Sequence, residues 1–132
     1  MDAQFSIISD SIGCVPLDVQ FQDSTTGTGA LVSWQWDMGD STTYAIPNPS
    51  HTFTYQSYYD IKLTVTEEDG CIDSVSKPNQ VYATQPIPNF LVNPPVNCSD
   101  QNSVFVSLSS GIGLPYLWDF GDGNTSTLAN PT

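Results

Sequence analysis

The pentapeptide Trp36-Asp37-Met38-Gly39-Asp40 recurs as Trp118-Asp119-Phe120-Gly121-Asp122. A chain that carries one motif twice has to be read as a repeat before any fold is considered. Twelve residues after each Trp stands an Asn-Pro pair, Asn48-Pro49 and Asn130-Pro131. Upstream, Phe5 matches Phe90, and Cys14 matches Cys98, each cysteine seven residues before a Phe (Phe21 and Phe105). The 132 residues therefore hold one full unit, residues 1–84, and the first half of a second, residues 89–132. Between them runs the Pro-rich linker 85–88, Gln85-Pro86-Ile87-Pro88, stiff and extended rather than floppy. The half unit lacks about three strands and is expected to be unstable alone, because so small a sheet buries too little surface. Completion in cis, by a longer chain, or in trans, by strands of a neighbouring subunit, are the two alternatives. The repeat arithmetic favours the first.

Period-2 alternation marks the strands. Val15, Leu17, Val19 and Phe21 alternate with polar residues or proline, as do Ile61, Leu63 and Val65, so each segment puts one face on a core. Leu31 to Met38 reads as a strand with Trp34 and Trp36 on one face, one of them near the rim. Ser50–Tyr55 and Ile72–Val81 are further strands. Asp69-Gly70 between two of them predicts a type I′ hairpin turn, which requires positive φ. Pro78 suits an edge or a bulge. No ten residues keep a 3.6-residue apolar period, so helix should be nearly absent.

Composition narrows the function. There are 14 acidic groups against two lysines, Lys62 and Lys77, for a net charge of -12. Nucleic-acid binding runs on Lys and Arg neutralising phosphates and is excluded; a polybasic membrane-surface role fails likewise. No apolar run approaches the roughly 18 residues of a spanning helix, so no membrane insertion is expected. Met1-Asp2-Ala3-Gln4-Phe5 has no basic start and does not read as a signal peptide. Secretion would then require a mature chain or an excerpt. Strong acidity keeps long arrays soluble and self-repelling.

In the order Trp36-Asp37-Met38-Gly39-Asp40-Ser41, Asn48-Pro49-Ser50-His51-Thr52-Phe53, Tyr59-Asp60-Ile61-Lys62-Leu63-Thr64-Val65, the first unit resembles a polycystic-kidney-disease (PKD) domain. Met38, Ser41, Phe53 and Ser57 depart locally from that family's pattern. The cysteine placement is similar to tandem PKD repeats in surface proteins of Bacteroidetes-like bacteria. The resemblance implies an all-β, immunoglobulin-like β-sandwich of about seven strands. It also implies a non-catalytic extracellular role at the cell surface: spacing, adhesion, or contact with neighbouring repeats, subunits or surface glycans. The alternative is a carbohydrate- or protein-binding accessory module of a secreted hydrolase. Fold alone does not decide between them.

Within that frame a disulfide is expected between Cys14 and Cys71, worth about 4 kcal/mol in the chain-entropy model, with Cys98 left unpaired by truncation. Asp37, Asp40, Asp119 and Asp122 resemble a glycosidase carboxylate pair, but Asp-x-Gly-Asp after a strand is also turn chemistry, with Gly39 and Gly121 taking the tight φ. Recurrence in both units favours the turn. No cofactor is implied; Asp37 and Asp40 are weak Ca²⁺ candidates, with Glu67-Glu68-Asp69 as a further source of oxygens. The family places His51 as a packed structural residue. Trp36 and Trp118 read as core tryptophans, and Tyr59 as a corner tyrosine bonding upstream backbone. Asp10-Ser11-Ile12, Asp23-Ser24-Thr25, Asp40-Ser41-Thr42 and Asp73-Ser74-Val75 resemble an O-glycosylation acceptor of Bacteroidetes, making Ser11, Ser24, Ser41 and Ser74 candidates, with plain turn chemistry as the alternative. Asn97-Cys98-Ser99 and Asn124-Thr125-Ser126 match the N-glycan sequon.

Overall fold

A computed structural model describes residues 1–96, 98–99, 101–111 and 115–132. The chain divides into two compact units, Met1–Thr84 and Gln85–Thr132. Among the described residues there is no helix.

Unit 1 has eight strands: β1 (Phe5–Ile7), β2 (Ile12–Cys14), β3 (Leu17–Asp23), β4 (Leu31–Asp37), β5 (Thr43–Tyr44), β6 (Ser50–Phe53), β7 (Ser57–Glu67) and β8 (Ile72–Thr84). They form two sheets, ordered β1-β3-β6 and β2-β8-β7-β4-β5. The expected strand count of seven becomes eight because the first strand is split. β1 pairs antiparallel with β3, while β2 crosses to the other sheet and pairs parallel with the end of β8.

Alternation places the core. On β3, Leu17, Val19 and Phe21 point inward; on β7, Tyr59, Ile61, Leu63, Val65 and Glu67 do. Trp36 is completely buried, and its ring packs on Phe5 at 5.3 Å and Phe21 at 5.7 Å, both from the opposite sheet. Trp34, two residues earlier on the same face, sits half-buried at the core margin. Its indole N–H donates to Asp23 Oδ2 at 2.8 Å.

Pro78 lies where β8 bulges. The register jumps between Tyr59↔Val81 and Ile61↔Lys77, and the residue after Pro78, Asn79, has φ 52°. Asp60 Oδ1 accepts the Asn79 N–H at 2.8 Å and fixes the bulge. β2 reaches only Tyr82–Thr84, so at Pro78 the strand is also an edge. The Asp69-Gly70 turn differs from the expected type I′. Gly70 N–H bonds Glu67 C=O, Gly70 has φ +88°, and neither Glu68 nor Asp69 has positive φ. This is a three-residue loop closed by a bulge glycine.

Unit 2 contains β9 (Phe90–Asn93), β10 (Val104–Ser107), β11 (Trp118–Asp119) and β12 (Thr125–Ser126), in two separate pairs, β9 with β10 and β11 with β12. Ile87, within the expected linker, already bridges Ser110 through two backbone bonds of 2.9 and 3.1 Å.

Ser41 has φ 76°, a conformation for which glycine is suited; its counterpart in the repeat, Gly123, has φ +89°. A left-handed conformation costs an L-residue roughly 1–2 kcal/mol, against a smaller entropic cost of glycine. Ser41→Gly is expected to stabilise unit 1 by about 0.5–1 kcal/mol, read as a higher urea midpoint; an unchanged or lower midpoint would contradict it.

Candidate functional site

The repeated motif builds one compact turn. β4 carries Trp36 inward and leaves Asp37 exposed. Asp37 Oδ1 accepts the Gly39 N–H at 2.9 Å, and Asp40 Oδ1 accepts the Thr42 N–H at 2.9 Å. Met38 N–H closes the turn on Thr42 C=O at 3.0 Å. Gly39 has φ +77°, and a Cβ there would stand 2.7 Å from the Asp60 carbonyl oxygen. Both the conformation and the space demand glycine.

Asp40 then reaches across the layers. Its Oδ2 lies 2.7 Å from Nε2 of His51 on β6, while His51 Nδ1 lies 3.0 Å from the Tyr44 hydroxyl on β5. His51 is buried, with its ring edge-on to Phe53 at 4.6 Å. Both ring nitrogens are thus held by protein groups, one acid and one phenol. The Trp36 indole N–H donates to Ile46 C=O at 2.9 Å, and the Tyr59 hydroxyl donates to Tyr55 C=O at 2.7 Å. Burial and the Asp40 charge raise the Tyr59 hydroxyl above its ordinary range. Burial pushes the Asp40 carboxyl up as well, but bonds from His51 and Thr42 outweigh it and hold the group below the ordinary carboxylate value.

The second motif repeats the turn and indole bonds of the first. Asp119 Oδ1 accepts the Gly121 N–H at 2.9 Å, Asp122 Oδ1 accepts the Asn124 N–H at 2.9 Å, and the Trp118 indole donates to Leu128 C=O at 2.8 Å. Asp122 Oδ2 takes the Asn124 side-chain amide at 3.0 Å, where Asp40 takes a histidine. The backbone and side-chain bonds from Asn124 hold the Asp122 carboxyl below its ordinary value.

The expected Cys14–Cys71 bridge does not form, and Cys14, Cys71 and Cys98 are all exposed. Cys14 registers with Thr84 at the end of β8, whereas Cys71 precedes its start. At about 3.3 Å per residue the two lie on the order of 40 Å apart, far beyond the roughly 7 Å Cα limit of a disulfide. The split first strand is the reason, since it sends Cys14 to the far end of the sheet. The reading of Cys98 as half of an equivalent bridge loses its basis with it. The Cys71 thiol is held protonated by its bond to Asp69 and that residue's charge.

Of the Ca²⁺ candidates, Asp40 has both carboxylate oxygens engaged by protein donors and Asp37 has one. Glu67 and Asp69 do converge, with Cys71. Their carboxylates are already met by donors, Glu67 by the Gly29 N–H at 3.3 Å and Asp69 by the Cys71 N–H at 3.0 Å. Ser24, Ser41 and Ser74 are exposed and Ser11 is half-buried. Asn97, the acceptor of one sequon, lies outside the described residues.

Several residues that the sequence reading passed over join the layers. Asp73 Oδ2 accepts the Ala3 N–H at 2.9 Å, and Lys77 Nζ donates to Phe5 C=O at 2.7 Å while sitting 4.4 Å over the Phe5 ring. Asn48, noted only as a repeat marker, accepts the Asp23 N–H at 3.0 Å, as Asn130 accepts the Ser107 N–H at 3.0 Å. The recurring Asn-Pro pair carried that signal.

A family model described as the PKD domain matches residues 4–82, more than half of the chain. The chain belongs to the PKD-domain family. Unit 1 is its immunoglobulin-like β-sandwich. The PKD1 domain of Vibrio anguillarum Epp matches with a TM-score of 0.53 and 28% identity, over 62% of this chain and 93% of that one. The PKD1 domain of the Vibrio cholerae metalloprotease PrtV matches with a TM-score of 0.52 and 27% identity, over 61% and 95%. Curated relatives include collagenase ColA of Clostridium perfringens, 30% identical over 83 residues, and a microbial collagenase of Vibrio alginolyticus, 33% identical over 66 residues. The matches cover 61% and 48% of this chain and 8% of each collagenase, so the PKD chain spans a small part of their length.

The lowered Asp40 carboxyl fixes a pH dependence. A depressed acid stabilises the fold fully above its unfolded pKa, about 4, and that stabilisation is lost as pH falls through the folded value. Asp40→Asn should therefore flatten the acid limb of a stability profile between roughly pH 5 and 2, while costing about 1–3 kcal/mol at neutral pH through the weakened His51 bond. Equal acid limbs in both proteins would refute this. A second expectation concerns the thiols: alkylation without reductant should modify all three cysteines, and reductant should leave the melting temperature unchanged.

Proposed function

We propose that this PKD chain is a non-catalytic, extracellular spacing and adhesion module of a tandem-repeat surface protein or filament. The observation that carries the reading is the second unit, which rebuilds the Trp-Asp-x-Gly-Asp turn with the same bonds. A catalytic group seldom recurs in every link of an array, whereas a structural turn must. The Asp40–His51–Tyr44 line supports a structural role, because each polar atom is spent on a partner within the fold. Neighbouring repeats are then the first partners, with surface glycans next. Ser24, Ser41 and Ser74 are exposed and are the candidate sites for O-glycosylation.

The second reading, an accessory module of a secreted hydrolase, draws support from the collagenase relatives. Collagen is an extracellular polymer, so this kinship also supports an extracellular setting. A surface feature suited to binding exists as well. Tyr58 and Tyr82, opposite each other on β7 and β8, stack at 4.1 Å on the outer face of the sheet, with Tyr58 exposed. Exposed aromatic faces are suited to stacking against sugars or prolines.

Protease shaving of intact cells, followed by peptide mapping and intact mass of the parent polypeptide, tests the proposal. Surface-released peptides from residues 1–132, in a polypeptide of repeated PKD units with hexose-sized mass steps, are expected. A hydrolase domain in the same polypeptide would shift the assignment to the accessory module. Recovery only from the cytoplasmic fraction would overturn both.

A further inference from the structure

The two cysteines of unit 1 sit at its opposite poles, beside the points where the chain enters and leaves. Cys14 on β2 registers with Thr84, the last residue of the unit, and the Val15 N–H donates to Thr84 C=O at 2.8 Å. Cys71 lies at the other pole, two residues before Asp73, whose Oδ2 accepts the Ala3 N–H at 2.9 Å. The chain enters there, with Asp2 bridged to Thr26 by backbone bonds of 2.7 and 3.0 Å. Both cysteines are exposed, and the 13 residues of β8 keep them apart within one unit. Cys98 takes the Cys14 position in the repeat, so the exit-pole cysteine is a feature of the module and not of unit 1 alone.

The joint between modules is short. Ile87 makes with Ser110 the bridge that Asp2 makes with Thr26, so the second module has begun by residue 87. Only Gln85 and Pro86 separate it from Thr84. Three residue steps span at most about 11 Å. The exit-pole cysteine stands one strand spacing, about 5 Å, from the residue at the exit. The entry-pole cysteine stands two residues, about 7 Å, from the residue that holds the entry. Inside a unit a rigid strand separates the two kinds of cysteine; across a joint only a hinge does. Rotation about that hinge reaches the Cα separation of about 7 Å that a disulfide needs.

We propose that Cys71 forms a disulfide with the Cys14-type cysteine of a PKD module that precedes it, so that successive modules are stapled across the joint. The inference rests on the tandem-module reading and names the covalent contact between neighbours. The partner is the exit-pole cysteine of a module of the unit 1 type. The reaction is thiol–disulfide exchange with a low-molecular-weight disulfide as oxidant. The thiolate of the preceding module attacks one sulfur of the oxidant, forming a mixed disulfide and expelling one small thiol. Cys71 then gives up its proton and attacks the module's sulfur in that mixed disulfide, and the second small thiol leaves. Two cysteine thiols are oxidised to one disulfide, and the oxidant is reduced to two thiols. Cys71 acts second because its bond to Asp69 keeps it protonated. An oxidising extracellular setting lets such a bond persist, and a fixed joint suits a projecting spacer.

The test is an extended chain in which a copy of residues 1–86 precedes residues 2–132, so that Asp2 follows Pro86 as Ile87 does in the chain itself. The protein is equilibrated in oxidised and reduced glutathione and mapped by non-reducing peptide analysis. Cys14 of the added module is expected in a disulfide with Cys71 of the module that follows. Its effective concentration should be about tenfold or more above the mM range of a short flexible tether. Cys14→Ser in the added module should abolish the bond, whereas Cys14→Ser in the following module should leave it unchanged. Both substitutions fall on an exposed residue, and amide exchange in β7 and β8 reports that each module stays folded. Absence of the bond between folded modules, an effective concentration no higher than a flexible tether's, or equal loss with either substitution overturns the proposal. Cell shaving does not depend on this bond, so failure here would leave the tandem-module reading intact.

Discussion

The sandwich is organised around the burial of one tryptophan. Trp36 leaves β4 and meets Phe5 and Phe21 from the facing sheet, so both layers are defined by contact with the same ring. Its indole N–H cannot be buried without a partner, and the Ile46 carbonyl supplies one. Ile46 is brought there by the chain returning from β5, which in turn depends on the turn at Gly39 and Asp40. The motif Trp-Asp-x-Gly-Asp is thus one device: a core side chain, the acids that close the turn, and the glycine that lets β7 approach.

Joining the layers falls to polar links rather than to a covalent one. Asp40 to His51, Asp73 to the Ala3 amide, and Lys77 to the Phe5 carbonyl each connect the two sheets. A disulfide over nearly sixty residues would contribute about 4 kcal/mol. Burial of a single large apolar side chain contributes roughly 1.5–3 kcal/mol, and the core holds many.

The split between what could and could not be read from the sequence follows the range of the interactions. Strand identity, inward faces and the turn acids are written locally, in alternation and in Asx spacing, and for the motif turn the repeat supplies an internal control; the corner bond of Tyr59 was legible only through the family resemblance. The Cys14–Cys71 pairing failed because it depends on which sheet a three-residue strand joins. Nothing in Ile12-Gly13-Cys14 says that it pairs parallel with the end of β8 rather than continuing β1. The turn at Gly70 failed for a subtler reason. Asp-Gly serves both a two-residue primed turn and a three-residue loop closed by a bulge glycine, and only the register between Thr66 and Ile72 distinguishes them. Lys77, one of two cations in a chain of net charge -12, looks like a surface lysine until β1 is laid beneath it.

The two units together separate local from tertiary causes. Residues 118–132 make the same turn and indole bonds as residues 36–50, although among the described residues β11 pairs with β12 alone. The bonds of the turn are local: Asp side chains cap N–H groups two residues on. What the sandwich adds is burial. Glycine at 121 is required by its φ alone, whereas glycine at 39 is required by its φ and by the Asp60 backbone. In unit 1 the motif is the platform against which the Asp60 backbone of β7 packs.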